Sequence, residues 1–342
     1  MQGGLGEDSY HQNSALQAQS FKTVQPTIKE IMANNTLLLD PSLKVIRIAD
    51  LGCSNTIHAI DFVTREIIQL RDQKLPFSSS SSLEIQAIFS DTTANDFNTL
   101  FSKVPHLQGE PYFFSGVPGS FYHRLFPRSS IHFAMTSHAL HYISKIPDEI
   151  IDRNSTAWNK DTMVVDRFSP PAALEAFARQ ASDDFSNFLQ HRAQEVVSGG
   201  ILVTMFPIRL TQELITVDLT LALEASWKDL IQEELLSQES LDTFNLPTYV
   251  RSIEEIQEAL EPVKEYFKVI YSANFTYPQP DPKSWNATAV VKKWKAVLGR
   301  AIGQHIGNEE LVELMFKRMV AKITTLTIPL DVILLVLQRT EL

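Results

Sequence analysis

The strongest constraint on this chain is a recurrence of short apolar runs separated by amphipathic stretches of helical period. The runs are "VIRIAD" (45–50), "LEIQAIFSD" (83–91), "IHFAMTS" (131–137), "GILVTM" (200–205), "FKVIYSANF" (267–275) and "DVILLVLQR" (331–339). Their length and near-continuous apolar character suit buried strands. Between the third and fourth runs, Leu174, Phe177, Ala181, Phe185 and Phe188 form a stripe at three- and four-residue steps. There Ser169 is expected as the helix N-cap, Pro170 in its first turn, and Gly199 and Gly200 as its stop. Strands alternating with helices predict an α/β protein with a doubly wound, mostly parallel sheet.

Residues 206–262 and 278–322 read as helical and acidic, without strands, and lie between strands of the expected sheet. They are expected to form, with 148–172, an α-helical cap inserted into one unit spanning 1–342. The α/β core would then comprise 20–147, 173–205, 263–277 and 323–342. The serine run at 78–82 reads as an exposed loop.

Charge and cysteine content narrow the function. A net charge of −10 argues against nucleic acid as a partner and against docking on anionic lipid. The apolar run "IPLDVILLVL" (328–337) is too short to span a bilayer. A single cysteine, Cys53, permits no internal disulfide, and "MQGGLGEDSYHQNSALQ" lacks the parts of a signal peptide. A cytoplasmic location is expected.

Several motifs fall at strand ends. In "IRIADLGCS" a strand runs through Asp50, Gly52 makes a turn, and "AIDFVTREIIQL" begins a helix. In open parallel sheets a ligand lies beyond such an end, although a lone glycine turn is equally consistent with ordinary strand-to-helix geometry. Asp91 ends the second run, where a carboxylate can accept from both hydroxyls of a ribose, or simply cap the next helix. "GVPGSFYHRLFP" (116–127) reads as a turn-rich, aromatic loop carried on the sheet. "SHALHYISKIP" (137–147) sets His138 and His141 one turn apart, followed by Tyr142. No third ligand is near for a metal, and no G-x-S-x-G supplies a nucleophile. The segment therefore reads as a pocket wall.

Taken in order, "MQGGLGEDSYHQNSALQ", "IADLGCS", "NDFNTLF", "GVPGSFYHRLFP", "HALHYISKIP", "RAQEVVSGG" and "LDTFNLPTY" resemble the plant SABATH methyltransferases over nearly the whole chain. The resemblance implies a Rossmann-like methyltransferase sheet that uses S-adenosylmethionine, releases S-adenosylhomocysteine, and methylates the carboxyl group of a small plant acid. In the caffeine branch of that family a ring nitrogen is methylated instead. It also implies that Tyr10, Cys53, Asp91, Ser120 and Phe121 contact cofactor, and that Ser14, Gln17, His138, His141 and Tyr142 line the acceptor. Trp227 of the cap would close the pocket. Asn159, Asp242, Phe244 and Asn245 match a magnesium site of some relatives, and a homodimer is implied. Three departures stand out. Thr56-Ile57-His58 replaces Gly-Pro-Asn, with His58 in place of a cofactor-contacting asparagine. Thr92 replaces a leucine near the ribose, and Tyr142 replaces a pocket tryptophan.

The acceptor expected from this resemblance needs no general base. A carboxyl group has a reference pKa near 4 and is ionised at neutrality, so the protein has to align and desolvate.

Overall fold

The computed structural model describes residues 15–75, 83–104, 112–211, 214, 218–276, 286–323 and 331–341. Among these residues an eight-stranded sheet has β1 (Val45–Leu51), β2 (Glu84–Asp91), β3 (Tyr112–Pro118), β4 (Ile131–Ser137), β5 (Val196–Arg209), β6 (Arg251–Ser252), β7 (Phe267–Thr276) and β8 (Asp331–Arg339). The order is β3-β2-β1-β4-β5-β8-β7, with β6 paired to β5 outside this path. β1 to β6 pair in parallel, whereas β8 runs antiparallel to both β5 and β7. The sheet is thus doubly wound and mostly parallel. Chain order reverses between β1 and β4, the switch point beyond whose carboxyl ends ligands bind in such sheets.

Strand residues alternate between two cores. Ile46 and Ile48 face the cluster that includes Phe21 and Ile28 of α1 (Ala15–Ala33) and Ile60 and Ile67 of α2 (His58–Lys74). Ala49 and Leu51 face the cluster with Phe185 and Phe188 of α4 (Pro171–Glu195). Both faces are therefore covered, as a parallel sheet requires. The short helix α3 (Phe97–Ser102) follows β2, capped by Asp96 on the Thr99 N–H.

A separate apolar cluster, with Trp227, Met315 and Phe316, joins α5 (Asp218–Gln232), α6 (Gln238–Asp242), α8 (Ala287–Ile306) and α9 (Glu309–Lys322). By contrast α7 (Ile253–Leu260) packs on the α4 face of the sheet through Ile256 and Ala259.

The structure corrects several boundaries. β5 runs to Arg209, so the expected cap edge at 206 falls inside a strand, and β6 with α7 belongs to the sheet layers. β3, an edge strand with part of its length exposed, takes in Gly116–Pro118 of the expected loop. Ser169 does not cap α4; its hydroxyl donates to Asn159 Oδ1 at 2.9 Å instead. α4 ends at Glu195, and Gly199, with φ +78°, lies within β5.

Candidate active site

The strand register aligns the chain segments that leave the switch point. Leu51 pairs with Ser90, Asp91 with Pro118, and Asp50 with Met135. The residues just beyond the ends of these strands are Gly52, Thr92, Gly119 and His138. Gly52 donates to Ser90 O at 2.8 Å, and Gly119 donates to Asp91 O at 2.8 Å. A Cβ on Gly52 would meet Ala139 Cβ at 2.6 Å and Phe121 Cε1 at 3.4 Å, and its φ is +80°. Only glycine meets both demands. The turn after β1, the aromatic loop and the histidine segment therefore converge at one point.

Asp91 is buried and aimed by the backbone: Ser54 N–H donates to Oδ2 and Thr92 N–H to Oδ1, each at 2.7 Å. Thr92 Oγ1 also reaches Oδ1 at 3.4 Å, while Oδ2 keeps a second lone pair for a hydroxyl. Burial raises its pKa, and burial together with the Asp91 charge raises that of Asp50 to about 7. Two buried carboxylates at one site suit a cationic ligand, whose charge would favour their ionised forms. Burial also raises the Cys53 thiol well above its usual value, so Cys53 is no nucleophile. Asn55 Oδ1 is buried without a hydrogen-bond partner among the described residues. Positive φ in this loop falls on Gly52 and Ser54. The replacement of glycine by Thr56 therefore asks for no left-handed backbone there, and Thr56 Oγ1 bonds Cys53 O at 3.2 Å. His58 is the first residue of α2.

The loop bearing Ser120 and Phe121 is held by a pair the sequence reading missed. Arg192 and Glu195, near the end of α4, form an ion pair at 2.7 Å with both side chains 1% exposed. Arg192 donates to the Phe121 and His123 carbonyls, and Glu195 accepts from the Leu125 and Phe126 N–H groups. The phrase "RAQE" carried the signal, since two charges three apart sit on the apolar face of a helix.

The histidine segment packs against the same turn, with Ala139 beside Gly52. The His138 backbone is left-handed, φ +54°, and its N–H bonds Met205 O at 2.7 Å. The His141 and Tyr142 rings lie 4.4 Å apart. Burial lowers His138 to about 4, and burial with the neighbouring His138 and Arg251 lowers His141 to about 3. Burial raises Tyr142 to about 12. At neutral pH all three are uncharged.

Other expected residues lie elsewhere. Tyr10 and Ser14 are outside the described residues; Gln17 lies in α1, and its side chain is not described. Trp227 is fully buried in the cap cluster, with its N–H on Ser240 Oγ at 3.0 Å and its ring against Phe244. Asn159, Asp242, Phe244 and Asn245 do cluster, and three of their side-chain oxygens accept from protein donors. Asn159 Oδ1 accepts from Ser169, Asn245 Oδ1 from Asn159 at 2.8 Å, and Asp242 Oδ1 from Asp161 N–H and Gln238. The buried Asn245 Nδ2, a donor, has no partner among the described residues. A cation needs oxygen acceptors, so a magnesium ion here would compete with these donors for the three oxygens. Among the described residues no group of three His, Cys, Asp or Glu could hold a metal ion. No helix among them is long and apolar enough to cross a membrane.

A doubly wound sheet with a glycine turn, a buried aspartate and an aromatic loop at its switch point is an arrangement in which such folds bind nucleoside-type ligands. A family model described as SAM dependent carboxyl methyltransferase matches residues 1–339. A solved structure of loganic acid methyltransferase with SAH superposes with a TM-score of 0.89 at 29% identity, covering 100% of this chain and 99% of that one. Indole-3-acetate O-methyltransferase 1 of Arabidopsis thaliana is 32% identical over 356 residues, 95% of this chain and 89% of the relative. A 3,7-dimethylxanthine N-methyltransferase of Camellia sinensis var. assamica is 34% identical over 277 residues, 76% and 73% of the two chains. The chain belongs to the SABATH family of plant S-adenosylmethionine-dependent methyltransferases.

Proposed function

We propose that the protein methylates the carboxylate of a small plant acid to its methyl ester. The observation that carries this reading is the neutrality of the acceptor wall. His138 at about 4, His141 at about 3 and Tyr142 at about 12 offer rings and hydrogen bonds but no effective proton acceptor at neutral pH. A base works best when its pKa lies near the operating pH. Such a wall suits an acceptor that is already ionised.

When bound, S-adenosylmethionine supplies a methyl group activated by its sulfonium sulfur. Gly52, Cys53, His58, Asp91, Thr92, Ser120 and Phe121 would hold it, with Asp91 toward the ribose. Tyr142 would donate to the acceptor carboxylate from the wall, and Gln17 from α1. His138 and His141 would exclude water and set the acceptor's angle. No step uses magnesium. A cytosolic site of action and a homodimer complete the reading, on the single cysteine and the family resemblance respectively.

The second reading is methylation of a heterocycle nitrogen, favoured by the likeness to the xanthine enzyme. The test offers loganic acid, indole-3-acetic acid and 3,7-dimethylxanthine, with a methyl-labelled donor. Base-labile labelled ester from an acid is expected. Label found only on the xanthine would replace the carboxyl reading with the second one. No transfer to any compound in a panel of small acids and xanthines, despite S-adenosylhomocysteine binding, would point to a catalytically impaired homologue.

A further inference from the structure

The acceptor wall, Leu140–Ser144, is held along its backbone. The Leu140 carbonyl accepts from Arg251 Nη1 at 2.5 Å, the His141 carbonyl from Tyr249 N–H at 2.7 Å, and the Tyr142 carbonyl from the Tyr122 hydroxyl. On the donor side, Tyr142 N–H reaches Ala139 O, Ile143 N–H reaches Pro247 O, and Ser144 N–H reaches Asp184 Oδ2 at 2.7 Å. Asp184 Oδ1 also takes the Ser144 hydroxyl at 2.7 Å. Three of these partners are buried side chains from three different places: β6, α4 and the aromatic loop.

Arg251 is the hub. It is 2% exposed, lies over the Phe185 ring at 5.0 Å, and places Nη2 on Ala181 O of α4 at 2.7 Å. The two carboxylates that act on its charge are engaged elsewhere, Asp184 with Ser144 and Glu255 with Arg209 and Tyr249. Burying a guanidinium is costly, and an apolar side chain would also pack on Phe185. What the guanidinium adds is two directed donors, which join the wall to α4. Its charge is one of the causes that hold the His141 imidazole low, which brings its field to the ring that faces the acceptor.

We propose that Arg251, together with Asp184 and Tyr122, is a positioning group for the acceptor, fixing the Leu140–Ser144 backbone and hence the His141 and Tyr142 rings without touching the acceptor itself. The proposal rests on the methyltransferase reading, not on the acceptor being an acid. Tyr122 follows Phe121, so the same frame also connects the wall to the cofactor loop.

The test compares Arg251→Met, Arg251→Lys and Tyr122→Phe with wild type. The acceptor is whichever of loganic acid, indole-3-acetic acid and 3,7-dimethylxanthine the wild type methylates fastest. Arg251→Met is expected to raise the acceptor KM about ten-fold or more, the loss of one charged hydrogen bond. KM for S-adenosylmethionine should stay near wild type, and Arg251→Lys should recover part of the acceptor effect. A substrate-independent readout is the His141 ring proton in NMR, whose titration should move to higher pH in Arg251→Met and less so in Arg251→Lys. Equal rises in both KM values, a lysine variant no better than methionine, or an unmoved His141 titration would overturn the proposal. Should Arg251→Met not fold, Tyr122→Phe decides: it removes one hydroxyl, and an unchanged acceptor KM and His141 signal count against the frame. Transfer to the xanthine alone defeats the carboxyl reading and leaves this one standing.

Discussion

The backbone at Gly52 passes so close to Ala139 that a Cβ at position 52 would stand 2.6 Å from the Ala139 Cβ. The turn after the first strand and the segment after the fourth are thus packed backbone against side chain. On the proposed placement of cofactor and acceptor, both sides of the site share this contact, so a change at Gly52 is expected to be felt at both.

Gly52→Ala should fail on two counts. The left-handed φ costs roughly 1–3 kcal/mol for a residue with a Cβ, and Ala139 must shift. We expect a lower unfolding temperature and at least about ten-fold weaker S-adenosylhomocysteine binding. Calorimetric titration checks it, and wild-type affinity in the variant would show that the turn does not approach the cofactor.

Asp91→Ala removes the acceptor for Ser54 N–H and the carboxylate assigned to the ribose. Loss of a charged hydrogen bond, about 1.5–3 kcal/mol, corresponds to roughly ten- to hundred-fold weaker S-adenosylhomocysteine binding. The same titration reads it. Unchanged affinity would move the ribose away from Asp91.

His141→Gln should keep the shape of the kcat–pH profile between about 6.5 and 9, since an imidazole at about 3 does not titrate there. A basic limb present in wild type and lost in the variant would make His141 a base and favour the nitrogen acceptor. The variant also reports on stability. Below pH 6.5 the unfolded chain takes up a proton at this histidine that the folded chain refuses. Wild type therefore loses stability as pH falls from 6.5 toward 3, by up to about 1.4 kcal/mol per pH unit from this group. His141→Gln lacks that term, so its stability deficit against wild type should narrow between pH 7 and 4.5 in urea unfolding. A deficit that widens would mean that the ring is charged when buried.

Tyr142→Trp refills the volume of the usual indole and moves the donor. The preferred acid should shift toward a smaller one, while Tyr142→Phe should lose only the hydrogen bond, a few-fold to about ten-fold in acceptor affinity. Competition assays between loganic and indole-3-acetic acid measure this. Identical preferences in the tryptophan variant would remove Tyr142 from the pocket.

Magnesium should be dispensable. Activity after exhaustive EDTA dialysis should equal that with added MgCl2. Asn159→Ala should cost about 1–3 kcal/mol of stability whether or not magnesium is present, because it strands Asn245 and Ser169. Magnesium-dependent stability in wild type that Asn159→Ala abolishes would restore the metal to this cluster.

The sequence by itself determined most of the sheet and the segments that meet at its switch point. Buried parallel strands announce themselves by continuous apolar runs, so β1, β2, β4 and β8 begin and end within a residue of their expected limits. The positions of Gly52 and Asp91 at the switch point were legible because each directly follows or ends a continuous apolar run. β3 was missed because an edge strand buries only part of its length and its glycine and proline read as a turn. Ser169 was misplaced because capping is a local rule: the helix begins only at Pro171, and the Ser169 oxygen accepts from Asp166 N–H at 3.1 Å while its hydroxyl donates to Asn159.

What only the tertiary structure decided is the partnering of groups far apart in the chain. Arg192 and Glu195 could be expected at a helix end, but not that they hold the loop some 70 residues earlier, with the Arg192–Phe121 bond spanning 71 positions. Nor does any local pattern send Arg251 to Leu140, 111 residues away. The neutrality of His138 and His141 belongs to the same class. A histidine's side chain is fixed by the sequence, but its charge at neutral pH is set by how completely the fold removes it from water.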